Sequence, residues 1–467
     1  MWNKISFLLL AFLISSCGGG GGGGTTGNNN PPVVSQQYTF TGTVTGLPLN
    51  ESIVVTDLSP PNGGLASTRF TSNASATQNF TLLATHLSGT TYSFAVAPQS
   101  SGTTCTVSNG SGTVASANVS NIAIVCSQTP LGKFEYVANY GDNTISAYSV
   151  HAGTGALAPV VGSPYVVGAN PISIAIVHSN KFAYVVNNSG DNITAFSING
   201  SSGALTQIAG SPFATGSNPM AMSIDPSGRF AYVASRGGSG SVSAYSINST
   251  TGALSPLSGS PYTAGANPQS LVIDPAGNYL YVANAGFAVS VFSINSSNGT
   301  LSEIAGSPFA TTNVLNRVAI DSTGSFLYAT NTSNSVSSIT GFTVNSNTGR
   351  LTAIPGSPFA AGNWTVGITF DPSGKFVYAA NFSGNDISAY SVYSVSGVLT
   401  PISGSPFLTA GGSGPQSIAF DPSSNFVYVT DVSGGVMLYS LNTATGALNS
   451  VSRYAAGNSP AFIALTN

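Results

Sequence analysis

A phrase of about fifty residues recurs seven times between residues 134 and 467. Each copy runs F-x-Y-V-x-N, S-x-S-A-Y-S-I-N, G-A-L-x-x-x-x-G-S-P-F and N-P-x-S-I-A-I-D-P-S-G, with small variations. The copies open at Phe134, Phe182, Phe230, Tyr279, Phe326, Phe376 and Phe426, at spacings of 48, 48, 49, 47, 50 and 50 residues. That period is too long for one strand-helix unit of a leucine-rich repeat and suits a four-stranded sheet. Large and small side chains alternate with period two in Ser241-Val242-Ser243-Ala244-Tyr245-Ser246-Ile247, and neither face is polar enough to be solvated. A sheet apolar on both faces must be covered on both, and radial stacking of like sheets achieves this without helices.

Taken from the channel outward, the strands of one unit are a (S-I-A-I-D), b (F-x-Y-V-A-N), c (S-V-S-A-Y-S-I) and d (G-A-L-x-x-I). The first copy starts at strand b with Phe134, and the chain ends on Ala461-Phe462-Ile463-Ala464-Leu465, a strand a with no b after it. The missing and surplus pieces match, so the C-terminal strand is expected to complete the first blade and remove two open edges. The fold class is therefore all-β, a seven-bladed β-propeller of four-stranded antiparallel blades, preceded by a small β-sandwich-like domain.

Several repeated groups that resemble chemistry have local explanations. Asp225, Asp274, Asp321, Asp371 and Asp421 open D-P-S-G-type turns, where Asp caps the turn, Pro presets φ and Gly takes a left-handed conformation. They sit in different blades, and no metal site or cofactor is expected. A G-S-P-[F/Y] serine shared by six blades cannot be one catalytic nucleophile; the expectation is that it ends the outer strand and buries the aromatic ring. No Ser-His-Asp order or nucleophile elbow is present.

The chain carries only 10 basic and 13 acidic residues, and the basic ones are scattered singly from Arg69 to Arg453. Nucleic acid is an unsuitable partner, since phosphate binding needs clustered Lys and Arg. Residues 1–17 read as an address: Lys4, the apolar run Ile5 to Ile14, then Ile14-Ser15-Ser16-Cys17, which resembles a bacterial lipobox with Cys17 as the lipidated residue. Residues 18–35, opening with Gly18 to Gly24, form a flexible tether. The implied location is the bacterial cell envelope, at the outer membrane on its periplasmic or surface side, with the membrane as partner through the lipid. Residues 36–128 read as short alternating strands separated by Gly, Pro, Asn and Ser turns, and resemble immunoglobulin-like or carboxypeptidase-regulatory sandwiches. Export places Cys105 and Cys126 where disulfides persist, and they are expected to bridge a hairpin. The propeller takes residues 130–467.

The Y-V-A-N segments at Tyr136 to Asn139 and Tyr281 to Asn284, with variants at Tyr184 and Tyr428, resemble YVTN-type repeats and lactonase-like seven-bladed propellers. The resemblance covers 134–467. It implies kinship with 6-phosphogluconolactonases and a cycloisomerase, whose reactions use polar and charged groups over the central channel. Function is then expected where one copy departs from the consensus on the face shared by the b–c and d–a loops. Those departures are Arg236, Arg317, Trp364, Asp431 and Arg453. Arginines over an apolar floor can hold a carboxylate or phosphate bidentately, with Trp364 as a stacking surface for a sugar ring. Of the other acids on that face, Asp142, Asp191 and Asp386 belong to a repeated turn, while His178 and His151 fall on the opposite face. Two readings follow: a non-catalytic envelope lipoprotein that presents the propeller as a binding or structural surface, a small molecule, glycan or protein being the candidate ligands, or a lactone hydrolase with Arg236 and Arg317 as anion clamp. The inventory of bases favours the first.

Overall fold

The computed structural model describes residues 36–47, 52–60, 66–72, 77–96, 103–128, 133–332, 337–409 and 411–466. The leader, Cys17 and the glycine tether lie outside the described residues. The described chain is all β-strand in its regular structure.

The N-terminal module consists of two four-stranded sheets. In one, Gln37–Thr45 lies between Thr77–Leu87 and Val119–Gln128, and Thr103–Ser108 completes the sheet; the other joins Ser67–Thr71, Ser52–Asp57, Thr91–Val96 and Ser111–Thr113. Their inner faces bury Phe40, Ile53, Val55, Ile122 and Ile124. A buried polar pair crosses this core, with His86 Nε2 2.7 Å from Asp57 Oδ2. Cys105 and Cys126 are directly opposed on antiparallel strands and are disulfide-bonded. The connection between them is not a simple hairpin: Ser111–Thr113 crosses to the second sheet and pairs with Thr91–Val96 before the chain returns.

Seven sheets follow, each with strands in the order a-b-c-d. In blade 2 these are Pro171–Ile176, Phe182–Asn187, Asn192–Ile198 and Leu205–Gln207. Blade 1 is completed by the C-terminal Pro460–Leu465, which pairs antiparallel with Phe134–Asn139. The closure expected from the unmatched strands is thus observed. Small and large residues interlock between blades, and every b-strand tyrosine from Tyr136 to Tyr428 is completely buried.

Three repeat-wide interactions explain the consensus. The b-strand tyrosine reaches the next blade's c–d turn: Tyr136 donates to Gly203 O at 2.8 Å, Tyr184 to Gly252 O at 2.7 Å, and Tyr428 to Gly155 O at 2.8 Å, the last across the closure. The D-P-S-G aspartate caps its own turn, as where Asp225 accepts from the backbone N–H groups of Arg229 and Phe230 at 2.7 and 2.6 Å. The Y-V-A-N asparagine ties strand b to strand c, with Asn139 Nδ2 donating to Thr144 and Ser146.

The G-S-P turn departs from expectation. It divides the outer strand instead of ending it: Leu205–Gln207 pairs with the end of strand c, and after the turn Phe213–Ala214 pairs with its start. The serine hydroxyl accepts a c-strand N–H, as where Ala195 N donates to Ser211 Oγ at 2.9 Å. The aromatic residue beyond is only half-buried. Blade 7 lacks the turn and has one continuous outer strand, Leu448–Ala455.

One b-strand position breaks the apolar pattern. Glu135 stands where the other blades have Ala183, Ala231, Leu280, Leu327, Val377 and Val427. It is fully buried at the seam between blades 1 and 7, and neither carboxyl oxygen has a hydrogen-bond partner among the described residues. Burial raises its pKa well above the ordinary 4.5, and the groups that feel it are Tyr148, Tyr428 and Tyr454. Because the folded-state pKa is raised, the carboxyl's contribution is fully present below its ordinary pKa and is lost as pH rises. Glu135→Leu should therefore raise the thermal midpoint at pH 8 more than at pH 4.5, by about 1–2 °C for each kcal/mol recovered in a propeller of this size. Calorimetry at the two pH values checks this; an equal or opposite effect would contradict an unpartnered, ionisable Glu135.

Candidate functional site

The site is built at the inner end of each blade. Strand a carries a bulge in every copy: Pro171 pairs with Asn187 and Ser173 with Val186, so Ile172 is the extra residue. Bulges of this kind re-aim a side chain out of the ladder. Here they bring Ile172, Met220, Gln416 and Ala461 to the mouth of the channel. A second set comes from the residue just after strand b, which donates its N–H to the residue before strand a of the same blade; examples are Arg236 N to Asn218 O at 3.0 Å and Phe382 N to Trp364 O at 2.9 Å. These bonds hold the backbone of the post-b residue and leave its side chain unconstrained by the repeat. Tyr140, Asn188, Arg236, Phe382 and Val432 all occupy this position and line the mouth.

The mouth encloses about 500 Å³, a size suited to a small organic molecule. Arg236 and Arg317 both line it, and among the described residues no carboxylate does. Arg317 rises from the inner strand of blade 5, at the place taken by Ser173, Ala221, Ser270, Gly367, Ser417 and Phe462 in the others. Small neighbours leave room for it to extend, and its guanidinium lies 5.9 Å from the centre of the Phe462 ring, contributed by blade 1. Burial in the channel pushes the Arg317 pKa down to about 10, and the positive charge of Arg236 adds to the effect. Arg317 remains cationic at neutral pH. Arg236 is exposed at the rim, and its inward-facing part is hydrogen-bonded to Gln269 Oε1. Partial burial lowers its pKa as well, with Tyr140 acting in the opposite sense. The two cations disfavour one another, as the effect of Arg236 on Arg317 records.

Trp364 stands beside this mouth, 43% exposed, with its ring centre 6.1 Å from that of Phe382. Its φ is +51°, in the left-handed region that Asn170, Asn218 and Asn267 occupy in other copies. Asp431 and Arg453, in contrast, satisfy one another. Asp431 replaces the framework asparagine, is fully buried, and takes Arg453 Nε at 3.1 Å and Nη2 at 3.0 Å in a bidentate pair. Arg453 is available for this because blade 7 has no G-S-P turn.

The remaining aspartates of this face also have local duties. Asp142 accepts from the backbone N–H and the side-chain amide of Asn458, both at 2.6 Å, and Asp191 accepts from Asn218 N at 2.7 Å. Asp386 accepts from Asn381 Nδ2 at 2.6 Å. Of the five departures, Arg236 and Arg317 line the mouth, Trp364 packs beside it on Phe382, and Asp431 and Arg453 pair with each other; Tyr140, Asn188, Phe382 and Val432 line the mouth without having been singled out. A signal for these was present: the position after Y-V-x-N holds Tyr, Asn, Arg, Ala, Thr, Phe and Val in the seven copies, without a consensus. Replacing Arg453 with Met leaves the buried Asp431 carboxylate unpaired and should cost about 1–3 kcal/mol of stability. Chemical denaturation measures this, and anion binding at the mouth should be unchanged.

A family model described as lactonase, seven-bladed β-propeller, matches residues 74–222, 208–313, 289–406 and 351–465. No curated protein matches the chain in sequence. Solved structures share the fold at low identity. A Bacteroides fragilis protein provisionally assigned as a 6-phosphogluconolactonase is 21% identical, with a TM-score of 0.62 over 73% of this chain and 100% of that one. The periplasmic gluconolactonase of Pseudomonas aeruginosa is 20% identical, with a TM-score of 0.61 over 72% of this chain and 99% of its own. A Lactobacillus plantarum protein is 19% identical, with a TM-score of 0.60 over 72% and 99%. Given the extent of the family match and the closed ring of seven blades, the chain belongs to the lactonase family of seven-bladed β-propellers.

Proposed function

We propose that this protein is a lipid-anchored propeller of the cell envelope that binds a small organic anion at the channel mouth. The observation that supports it is the meeting of Arg236 and Arg317 in one pocket whose lining includes no carboxylate. A carboxylate or phosphate entering there relieves the repulsion between the two guanidinium groups and gains charge-assisted hydrogen bonds. The anchor reading rests on the leader and lipobox-like segment ending at Cys17, followed by the glycine tether.

A second reading, lactone hydrolysis, is favoured by the family and by the fold shared with the Pseudomonas gluconolactonase. Hydrolysis wants a base to draw a proton from water and donors for the developing oxyanion. The arginines could serve the oxyanion. For the base, the aspartates at the ends of strands b and c, Asp142, Asp191, Asp386 and Asp431, are each engaged in loop or ion-pair contacts. Binding without turnover is therefore the preferred reading.

Titration calorimetry with phenylacetate, gluconate and 6-phosphogluconate tests it. At least one should bind, and Arg317→Met should weaken that binding about tenfold or more, the worth of one lost charge-assisted contact. A pH-stat assay on gluconolactone should match the uncatalysed rate. Turnover above that rate, abolished by Arg317→Met, would replace binding with hydrolysis as the activity. The anchor has its own test: Cys17→Ala should move the protein from the membrane fraction to the soluble fraction and remove the lipid from its intact mass.

A further inference from the structure

The reading of the mouth as an anion site leaves the body of the ligand unspecified, and the division of the mouth bears on it. Both cations come from blades 3 and 5. Phe382 and Val432, from blades 6 and 7, form an apolar wall, and Ile172 and Met220 line the mouth from blades 2 and 3. Trp364 packs against Phe382.

Of the neutral polar side chains that line the mouth, Tyr140, Asn188, Gln416 and Ser459, Asn188 is committed, its Nδ2 donating to Pro219 O at 3.0 Å. Gln269, outside that lining, accepts from Arg236 and donates Nε2 to Asn267 O at 3.3 Å. A polyol needs a donor or acceptor for each buried hydroxyl, since an unmet one loses its hydrogen bonds to water. A flat apolar body needs only contact area, which the Phe382 wall provides.

Trp364 adds an independent observation. A bulky residue at positive φ is an outlier, and in the copies that share this φ the place is held by Asn170, Asn218, Asn267, Gly414 and Ser459, all smaller than tryptophan. The fold does not need a tryptophan there, yet a half-exposed indole sits beside the aromatic wall of the mouth.

We infer that the channel mouth takes an aryl carboxylate, its carboxylate between Arg236 and Arg317 and its ring against Phe382 beside Trp364. This inference rests on the anion-binding reading and specifies the ligand class.

The chain has two tryptophans, Trp2 in the leader and Trp364. In full-length protein carrying Trp2→Phe, emission therefore reports on Trp364 alone. Phenylacetate and gluconate are titrated against this protein by calorimetry, with emission followed in parallel. Phenylacetate should bind at least tenfold more tightly than gluconate and should alter Trp364 emission. Phe382→Ala should weaken phenylacetate at least fivefold and leave gluconate unchanged, whereas Arg317→Met should weaken both. Gluconate binding as tightly as phenylacetate, or Phe382→Ala weakening both alike, overturns the aryl preference while the anion site stands. Absence of binding by either probe, or binding indifferent to both Arg317→Met and Arg236→Gln, overturns the anion site and this inference together. Phe382→Leu, which preserves bulk and removes the flat ring, gives the same comparison should the alanine variant unfold.

Discussion

The contact on which the propeller depends is the one between a b-strand tyrosine and a glycine of the next blade. Tyr136 donates to Gly203, Tyr232 to Gly299, Tyr378 to Gly446, and Tyr428 across the closure to Gly155. The same glycines have positive φ and pack against the phenylalanine that opens the preceding copy. A Cβ added to Gly203 would lie 2.2 Å from Phe134, and one at Gly155 would lie 2.6 Å from Phe426. The glycine thus serves as the turn, the acceptor and the space into which the neighbouring ring fits. A buried phenol without an acceptor would be costly, so each blade is satisfied by its successor. The ring is consequently completed by hydrogen bonds as well as by the C-terminal strand. Tyr281, whose hydroxyl lacks a partner among the described residues, is a local exception that the other six joints tolerate.

That arrangement also decides where the molecule is free to vary. The framework claims the tyrosine, the asparagine, the capping aspartate and the glycine of each copy. It makes only backbone demands on the residue after strand b, and the bulge releases the second residue of strand a from the ladder. Both freed positions face the channel mouth. Seven nearly equal units can therefore present an unequal pocket without altering a blade interface, which is how a symmetric scaffold carries an asymmetric site.

How much of this is legible in the sequence follows from the same distinction. Blade number, strand order and closure are properties of one phrase and its copies, so period and alternation disclose them. The split outer strand is less accessible, because the G-S-P serine acts through a c-strand N–H sixteen residues earlier, as Ser211 does for Ala195. Asp431 and Arg453 are visible as departures, but their bidentate pairing depends on strands b and d lying on either side of strand c in blade 7. Phe382 escaped notice because a position without a consensus resembles an unremarkable loop until its copies are seen around one opening.

Arg317 shows the energetic side of that freedom. A guanidinium in the inner ring loses hydration, sits within the field of Arg236, and meets no carboxylate in the lining of either channel pocket. The ring of Phe462 offers partial compensation through its π face. The adjoining Gly367 and Ser417 are small and leave the cation open to the channel instead of enclosing it. The scaffold can sustain this local cost because its stability is distributed over seven similar interfaces. Under the anion-site proposal, a countercharge would recover the free energy that the unliganded channel forgoes, and the unfavourable state of Arg317 would be the source of affinity.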